Sequence, residues 1–346
     1  MGRRSVVLAL LAVLLASSLL QLLYQQEGSL EGRSTSQPVY AGATRQSRAH
    51  TQVLLWTQIR SGSSFTGRVL TMGTKTFYSE EPIRVYDHTL GRDIGAAVAF
   101  LKDILLCRFS RHLKYFKEYL TWHYQDLKVK YLCQFEPRLC SSPFIYEAFC
   151  RAAPVVVVRV VALALTASIP LLEDDEMELK VVHLVRDPRG TLASRRNLPS
   201  FAHVYEEESN VTAVCARYRE DLVAAATLRQ FFPKRYILVR YEDLARSPER
   251  EVRRLYEFMG LPFTALVSQF IFDHTSGLQK RGDMDKPFTY FRNSTEIADR
   301  WRDKMSYEDA LAIQEQCEDV LQSYGYEVFR SRREYSRRGG ALEAPP

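Results

Sequence analysis

The sequence has six cysteines but no Cys-x-x-Cys pair. A structural zinc site or a thioredoxin-like redox motif is therefore disfavoured, and no metal is expected. The chain also lacks a basic run interleaved with aromatic residues, so a nucleic-acid partner is not expected. Internal repeats are absent. What the composition does show is a formal net charge of +6, which favours anionic partners in general.

Charge is missing from residues 5–24, which read SVVLALLAVLLASSLLQLLY. At about 1.5 Å per residue, this segment is long enough to cross a hydrocarbon core of about 30 Å. Arg3 and Arg4 precede it and no comparable cluster follows, which predicts a cytosolic tail at residues 1–4 and a lumenal main part. A signal peptide cleaved near residues 16–18 is the alternative, but the apolar region of such peptides is shorter. The sequence favours a retained N-terminal transmembrane signal anchor.

Cysteine use and two glycosylation sequons agree with a lumenal location. Disulfides are expected there, and Cys133, Cys140 and Cys150 are close enough in sequence to suggest a locally pinned loop. The six cysteines allow many pairings, and the sequence does not choose among them. The sequons start at Asn210 and Asn293, and each predicts a surface glycan.

Composition divides the rest of the chain into three parts. Residues 25–50 are rich in Gln, Gly, Ser, Thr and Arg, which predicts a flexible stem. Residues 331–346 are interpreted as a disordered tail. The segment between them, residues 51–330, should form the folded lumenal domain.

Four apolar runs without alternation predict strands covered on both faces, as in a parallel sheet. These runs are Val53–Trp56, Val155–Val161, Lys180–Val185 and Tyr236–Val239. Cap residues and apolar periodicity predict five helices. One starts at Ser63, two cover about 91–120 and 211–231, one runs between Ser247 and Gly260, and the last begins at a capping box of Ser306 and Asp309. Strands that alternate with helices predict a three-layer, doubly wound α/β fold.

The stretch VLLWTQIRSGSSFTG, residues 53–67, has the order strand, small-residue loop, helix. This order suits phosphate binding, because the first-turn N–H groups and the helix dipole face the anion. An ATP-binding P-loop would need a Gly-Lys pair, which is missing, and the basic residue Arg60 precedes the loop. Gly62 allows close backbone approach, and hydroxyl donors come from Ser61, Ser63, Ser64 and Thr66. The loop is predicted to hold a terminal anionic group without a shared metal.

A second strand–turn–helix stretch is KVVHLVRDPRGTLASR, residues 180–195. Asp187 fits the N-cap and Pro188 the first helical position. Arg186 leaves the strand end, where open α/β sheets bind ligands. Ser194 can face the same cleft only if the ligand lies along the helix. Basic residues make this edge cationic, with a solvated basic helix as the alternative: Arg186, Arg189, Arg195 and Arg196.

Together these motifs resemble the Golgi carbohydrate sulfotransferases, above all the galactose, N-acetylglucosamine and N-acetylgalactosamine 6-O-sulfotransferases. The resemblance runs from about Thr51 to Tyr326. It rests on RSGSSF, FYSEEP, LVRDPRG…AS, RYEDLARSPEREVRRLYEFMGL, RNSTEIADRWR and SYGYEVF, in that order.

The resemblance implies a P-loop-like sulfotransferase fold and the donor 3′-phosphoadenosine 5′-phosphosulfate (PAPS). The 5′-phosphosulfate would lie on Arg60, Ser61, Gly62, Ser63, Ser64, Phe65 and Thr66. The 3′-phosphate would lie on Arg186, Asp187, Pro188, Arg189, Gly190, Thr191, Leu192, Ala193 and Ser194, with Arg186 and Ser194 as the main direct contacts.

The resemblance also implies the reaction and the location. A sulfuryl group would move in line, without metal, to the 6-hydroxyl of Gal, GlcNAc or GalNAc in a glycan or proteoglycan. The protein would be a single-pass type II protein of the Golgi membrane. The acceptor sugar stays open, and so does a homodimer.

Two residues are candidates for the chemistry. Arg60 and the loop amides would stabilise the charge that develops on the transferred group. Glu81 in FYSEEP follows a predicted strand, where related enzymes place a Glu-Pro, and is the candidate base. Glu80 stands where the family more often has an aromatic residue, so Glu80, His88 and His123 remain alternatives.

Departures from the family leave rival functions open. Related enzymes have a K-x-V-R strand after the region of Cys150, whereas this chain has Arg159 and then Val161-Ala162. One positive charge is missing, which indicates a different acceptor or reduced activity. A catalytically inactive family member is a separate alternative. Asp283-Met284-Asp285 matches the D-x-D pattern of metal-dependent Golgi glycosyltransferases, although no strand precedes it. The overlapping Arg281-Gly282-Asp283 resembles an adhesion motif, but such triplets are common by chance.

Overall fold

The computed structural model describes residues 50–73, 75–83, 93–113, 142–161, 163–196, 209–278 and 293–337. All of them belong to one compact unit, Arg48–Pro346. Within these ranges no helix is both long and apolar enough to cross a bilayer. The predicted anchor (5–24) and nearly all of the predicted stem (25–50) lie outside the described residues and stay predictions.

Five parallel strands form one sheet in the order β2-β3-β1-β4-β5. They are β1 Thr51–Thr57, β2 Thr76–Glu80, β3 Val155–Val160, β4 Leu179–Val185 and β5 Tyr236–Arg240. The four predicted apolar strands are confirmed, and β2 is the strand expected before Glu81. The doubly wound α/β prediction is confirmed, because helices pack on both faces of the sheet.

The twelve described α-helices are α1 Ser63–Leu70, α2 Ile94–Leu105, α3 Pro143–Ala152, α4 Ile169–Leu172, α5 Pro188–Arg196, α6 Val211–Phe231, α7 Tyr241–Arg246, α8 Pro248–Met259, α9 Ala265–Thr275, α10 Ser294–Asp299, α11 Tyr307–Ser323 and α12 Arg332–Ser336. Short 3₁₀ turns occur at Phe109–Arg111, Leu165–Ser168 and Arg300–Asp303. The helix predicted over 91–120 ends at Leu105, and the left-handed backbone of Cys107 (φ 58°) follows it.

Alternating side chains of the central strand build the two halves of the core. Leu54 and Trp56 of β1 pack on one face with α2, while Val53 and Leu55 pack on the other with α1 and α8. Successive residues of a strand point to opposite faces, so an uninterrupted apolar run can bury both. This is why the strands lack a polar face.

Among the described residues, two disulfides connect segments that are distant in the sequence. Cys107 pairs with Cys150, and Cys215 pairs with Cys317. The predicted local loop is therefore wrong for Cys150, whose partner is 43 residues away. The fold brings α3 beside the Phe109–Arg111 turn, where the backbone N–H of Ser110 donates to Glu147 at 2.7 Å. Cys133 and Cys140 lie outside the described residues.

The predicted disordered tail is wrong for residues 331–336, which start with an N-cap and form α12. Ser331 caps the helix, since its hydroxyl accepts from the N–H of Glu334 at 3.2 Å. Tyr335 is buried against Trp301 and Phe329, and its hydroxyl donates to the carbonyl of Met305 at 2.7 Å. One apolar side chain among polar neighbours gives little signal in the sequence, yet it anchors this helix.

Candidate active site

The two predicted donor segments meet at the carboxyl edge of the sheet. β1 and β4 are adjacent and parallel, so the loops that leave them lie side by side. Arg186 donates from Nη1 to the carbonyl oxygen of Arg60 at 2.8 Å, and Arg60 donates from Nε to Ser194 Oγ at 3.2 Å. Ser194 therefore faces the first loop.

Gly62 opens α1 in a way that only glycine can. Its φ is 87°, and a Cβ there would lie 2.4 Å from the ring of Tyr241. Within the described part of the chain no side chain caps α1, and no acidic residue lies in its first turn. The first-turn N–H groups and the positive end of the helix dipole are thus available to an anion. Thr66 donates its hydroxyl to the Gly62 carbonyl at 3.2 Å and stabilises the turn.

Arg60 also occupies the left-handed region, with φ 70°. This conformation is uncommon for a residue with a Cβ and is found at functional sites that the surrounding structure holds in place. Here Arg195 holds the loop, since its Nη2 donates to the carbonyl of Ile59 at 3.0 Å and its side chain is buried. The fold therefore supports this loop conformation from below.

Two buried polar atoms beside these loops have no hydrogen-bond partner within the part of the chain that the structure describes. They are Ser61 Oγ and Arg186 Nε. Leaving a buried polar atom unpaired costs roughly 1–3 kcal/mol, so a polar ligand at this edge would recover that free energy. Arg186 also stacks on Tyr241, with its guanidinium carbon 4.5 Å from the ring centroid. The residues present therefore fit an anionic donor.

Gly190 leaves room beside Arg186. A Cβ at Gly190 would lie 3.2 Å from Arg186 Nε and 3.1 Å from the indole of Trp301. A larger residue at position 190 would crowd the Arg186 guanidinium, which connects the two loops.

Other predicted donor residues of α5 hold the fold with their side chains. Arg189 is fully buried and donates to Asp187, to Gln314 Oε1 at 2.9 Å and to the carbonyl of Glu327 at 2.8 Å. Thr191 is hydrogen-bonded to Tyr218, and Leu192 and Ala193 lie in the core. The N–H of Arg189 bonds to the Asp187 side chain at 2.8 Å, and Pro188 is the first helical residue, as predicted for the cap.

The predicted basic edge is therefore only partly free to bind a ligand. Arg189 and Arg195 are buried in internal hydrogen bonds, whereas Arg196 is exposed. A solvated basic helix does not describe this segment either.

Glu81, the candidate base, lies at the end of β2. It is 8% exposed and its φ is 49°. Its N–H donates to the carbonyl of Arg159 at 3.0 Å, and its carboxylate contacts the Arg159 guanidinium. Glu80 contacts the same guanidinium. Arg159 also donates to Ser64 Oγ at 2.8 Å, so it touches both the donor loop and the candidate base.

Sequence reasoning missed two buried groups of this site. Arg159 was identified only as the remainder of a basic motif. Glu242 was not singled out, yet it accepts from the N–H of Asp187 at 3.1 Å and from the hydroxyl of Tyr326 at 3.0 Å. Burial, together with the nearby Asp187 carboxylate, raises the pKa of Glu242 to about 7. The only sign of Glu242 in the sequence was its place in the acidic pair Glu242-Asp243 of the motif RYEDL.

Several other predictions lie outside the described residues. These are His88, His123, Ala162, Arg281-Gly282-Asp283 and Asp283-Met284-Asp285. Among the residues with described structure, no group of His, Cys, Asp and Glu side chains could hold a metal ion.

The two sequon asparagines differ in their surroundings. Asn210 is exposed and caps α6, where its side-chain oxygen accepts from the N–H of Ala213 at 3.1 Å. This bond leaves the Asn210 amide nitrogen, the atom that would carry a glycan, pointing away from the cap. Asn293 is half-buried, and its amide nitrogen donates to Glu296 at 2.7 Å.

Comparison with known proteins gives a consistent match. Residues 50–325 match the sequence profile of the family described as the sulfotransferase domain. Human carbohydrate sulfotransferase 6 is 30% identical over 329 residues, covering 83% of each chain. Mouse carbohydrate sulfotransferase 5 is 29% identical over 361 residues, covering 91% of this chain and 90% of that protein. A solved sulfotransferase domain from the Synechococcus PCC 7002 olefin synthase covers 86% of this chain and 100% of its own at 16% identity, with a TM-score of 0.47.

Proposed function

The chain belongs to the sulfotransferase-domain family, with carbohydrate sulfotransferases as its curated relatives, and from this premise we propose that it transfers a sulfuryl group from PAPS to a sugar hydroxyl. The observation that carries the proposal is the junction of the two donor segments through Arg60, Arg186 and Ser194. PAPS has an anionic group at both its 5′ and 3′ ends, so it needs two anion-binding segments in one cleft.

The proposed donor placement follows the two segments. The 5′-phosphosulfate lies on the loop Arg60–Thr66, where the first-turn N–H groups of α1 and the unpaired Ser61 hydroxyl donate to it. The 3′-phosphate lies against Arg186 and Ser194. A guanidinium suits this task because its planar fork donates two parallel hydrogen bonds to a phosphate.

In the proposed reaction Glu81 takes the proton of the acceptor hydroxyl. As the new bond between that oxygen and sulfur forms, the bond between sulfur and the 5′-phosphate oxygen breaks, and 3′-phosphoadenosine 5′-phosphate (PAP) leaves. Arg60 and the α1 N–H groups stabilise the charge that grows on the transferred and leaving oxygens. Because the Arg60 guanidinium and the N–H dipoles supply this stabilisation, the proposed step uses no metal.

We extend the proposal to the 6-hydroxyl of Gal, GlcNAc or GalNAc in a glycan or proteoglycan, and to a lumenal domain on a Golgi membrane anchor. The resemblance of the motifs to the 6-O-sulfotransferases supports the position of transfer. The apolar, uncharged residues 5–24 after Arg3 and Arg4 support the type II orientation.

The test is transfer of labelled sulfur from PAPS to a panel of desulfated glycans, with and without EDTA. Label in one glycan that is insensitive to EDTA supports the proposal and identifies the acceptor. Linkage analysis of that product checks the 6-position. Activity that requires a metal and a nucleotide sugar contradicts it and favours the D-x-D glycosyltransferase alternative, and PAP binding without transfer to any glycan favours an inactive family member.

A further inference from the structure

A buried ion cluster connects the candidate base to the donor loop. It consists of Arg159 on β3, Glu80 and Glu81 at the end of β2, and Ser64 in the first turn of α1, and is called the Arg159 cluster below. Arg159 is 3% exposed, Glu80 is 2% exposed and Glu81 is 8% exposed. The guanidinium divides its contacts, since Nη1 donates to Ser64 and Nη2 contacts both carboxylates.

The two carboxylates reach Arg159 by different routes. Glu80 is the register partner of Arg159 in the parallel pair of β2 and β3, so their side chains share a face of the sheet. Glu81 is the next residue, and strand alternation would send its side chain to the opposite face. Its left-handed backbone ends the alternation, and its carboxylate meets the same Nη2. A costly backbone conformation thus brings Glu81 to the guanidinium.

We propose that Arg159 is a positioning residue that couples the donor loop to Glu81, and that Glu80 is the fixed counter-ion that holds Arg159 in place. This inference rests on the proposed function. Glu80 lies inside the strand and pairs in register, so it has the rigid position. Glu81 lies beyond the strand at the edge where ligands bind, so it can give up part of its contact with Arg159 to accept a proton.

Arginine is required in this role for a geometric reason. Its two terminal nitrogens diverge within one plane, so one guanidinium can hold Ser64 and Glu81 at a fixed separation. A lysine keeps the charge but concentrates it on one rotatable nitrogen. Arg159→Lys therefore tests the bridge while the charge of the cluster stays constant.

The experiment is a double-mutant cycle on the solubilised full-length chain. The turnover number is measured in the wild type, Arg159→Lys, Glu81→Gln and the double variant, with labelled PAPS and the desulfated glycan that takes up label in the panel experiment above. We expect Arg159→Lys to lower kcat at least about 10-fold when Glu81 is present and by less than about twofold in the Glu81→Gln background. Equal loss in the two backgrounds means that Arg159 has only a structural role and overturns the inference.

Calorimetric binding of PAP tests the contact between Arg159 and Ser64, and it does not depend on turnover. Arg159→Lys should weaken PAP binding at least about threefold when Ser64 is present and have little effect in Ser64→Ala. Equal weakening in both overturns the coupling. If the wild-type chain binds no PAP, the proposed function is wrong. If the wild type binds PAP but the variants show no coupling, only this inference is wrong.

A further single variant and a second double-mutant cycle complete the test. Glu80→Gln should reduce kcat less than Glu81→Gln does, and an equal or larger loss overturns the division of roles. If Arg159→Lys does not fold, Ser64→Ala and Glu81→Gln replace it, because both side chains contact one guanidinium. Their effects on kcat should depart from additivity by at least about threefold, and additivity overturns the proposal.

Discussion

Arg186 donates from Nη1 to the backbone carbonyl of Arg60 at 2.8 Å, although 126 residues separate them in the chain. This bond joins the two predicted donor-binding segments, and each arginine contacts both of them. Arg60 in turn donates to Ser194 on the second segment. The cleft is therefore organised before a donor enters, which reduces the ordering cost of binding.

Arg60→Ala and Arg186→Ala should each lower transfer from PAPS at least about 100-fold. Each substitution removes a guanidinium that would bind an anionic group of PAPS. The readout is labelled-sulfur transfer at equal amounts of secreted protein. Arg250→Ala, which removes an arginine with a side chain 70% exposed on α8, is the matched control and should be neutral. Normal transfer by both site variants would contradict the assigned donor site.

Glu81→Gln should lower kcat at least about 100-fold while the affinity for PAP changes little. The substitution keeps the size of the side chain but removes the group that accepts the proton. Steady-state turnover and calorimetric PAP binding are measured on the same preparation. Glu249→Gln, at an exposed carboxylate on α8, should leave both unchanged. An unaltered rate in Glu81→Gln would refute the assignment of the base.

Gly62→Ala should destabilise the protein by roughly 1–3 kcal/mol, because a Cβ there meets the Tyr241 ring and the backbone is left-handed. Gly95→Ala is the matched control. Gly95 lies in α2, where the nearest contact of an added Cβ is Asp93 Oδ1 at 3.4 Å, so alanine should be neutral or stabilising. Thermal unfolding compares the two, and a similar Tm shift in both would contradict the steric account.

Glu242 should make stability fall as pH rises. Burial raises the pKa of Glu242 from its ordinary 4.5 to about 7, so the folded state holds a proton that the unfolded state has lost between these values. This contribution to the free energy of unfolding is full below about pH 4.5 and is lost by about pH 7. The loss is on the order of 3 kcal/mol at 1.36 kcal/mol per unit of pKa.

Glu242→Gln should remove that pH dependence, since glutamine does not ionise. Its amide oxygen can accept from the N–H of Asp187, while its amide nitrogen can donate to the hydroxyl oxygen of Tyr326. Urea unfolding from pH 4.5 to 8 measures the free energy of unfolding of the wild type and of the variant. As pH rises, the wild type should lose stability relative to the variant. Parallel profiles for the two proteins would show that Glu242 does not titrate in this range.

Asn210 should carry a glycan at higher occupancy than Asn293 in cells that secrete the domain. Asn210 is exposed, whereas the amide of Asn293 is bonded to Glu296 in a half-buried position. Thr212→Ala removes the first sequon and leaves the Asn210 cap intact, while Thr295→Ala removes the second. The mass lost in each variant after purification measures occupancy, and a larger loss in Thr295→Ala would reverse the order.

The strands and the two donor segments could be predicted because their signals are local. β1 and β4 each combine an apolar run with a following turn, and Pro248–Met259 has its cap residues at both ends. The helix over 91–120 was predicted too long, since the apolar pattern does not show that the backbone turns at Cys107. Boundaries depend on such single dihedral changes.

Long-range partners had no comparable signal. Cys150 was grouped with its sequence neighbours, whereas the fold pairs it with Cys107. Arg189 looked like a ligand contact, but the fold surrounds it with Gln314 and Glu327, 125 and 138 residues away. A side chain of the same type can bind a ligand or hold a helix, and the sequence pattern is identical in the two cases.

The sequence by itself determined the parallel α/β sheet and the two strand–turn–helix segments at its edge, because apolar runs, caps and glycines act on residues close in the chain. Only the tertiary structure decided that Arg60, Arg186 and Ser194 form one junction and that Arg159 joins Ser64 to Glu81. Those contacts arise because parallel strands bring their carboxyl ends to one edge, where residues far apart in sequence become neighbours.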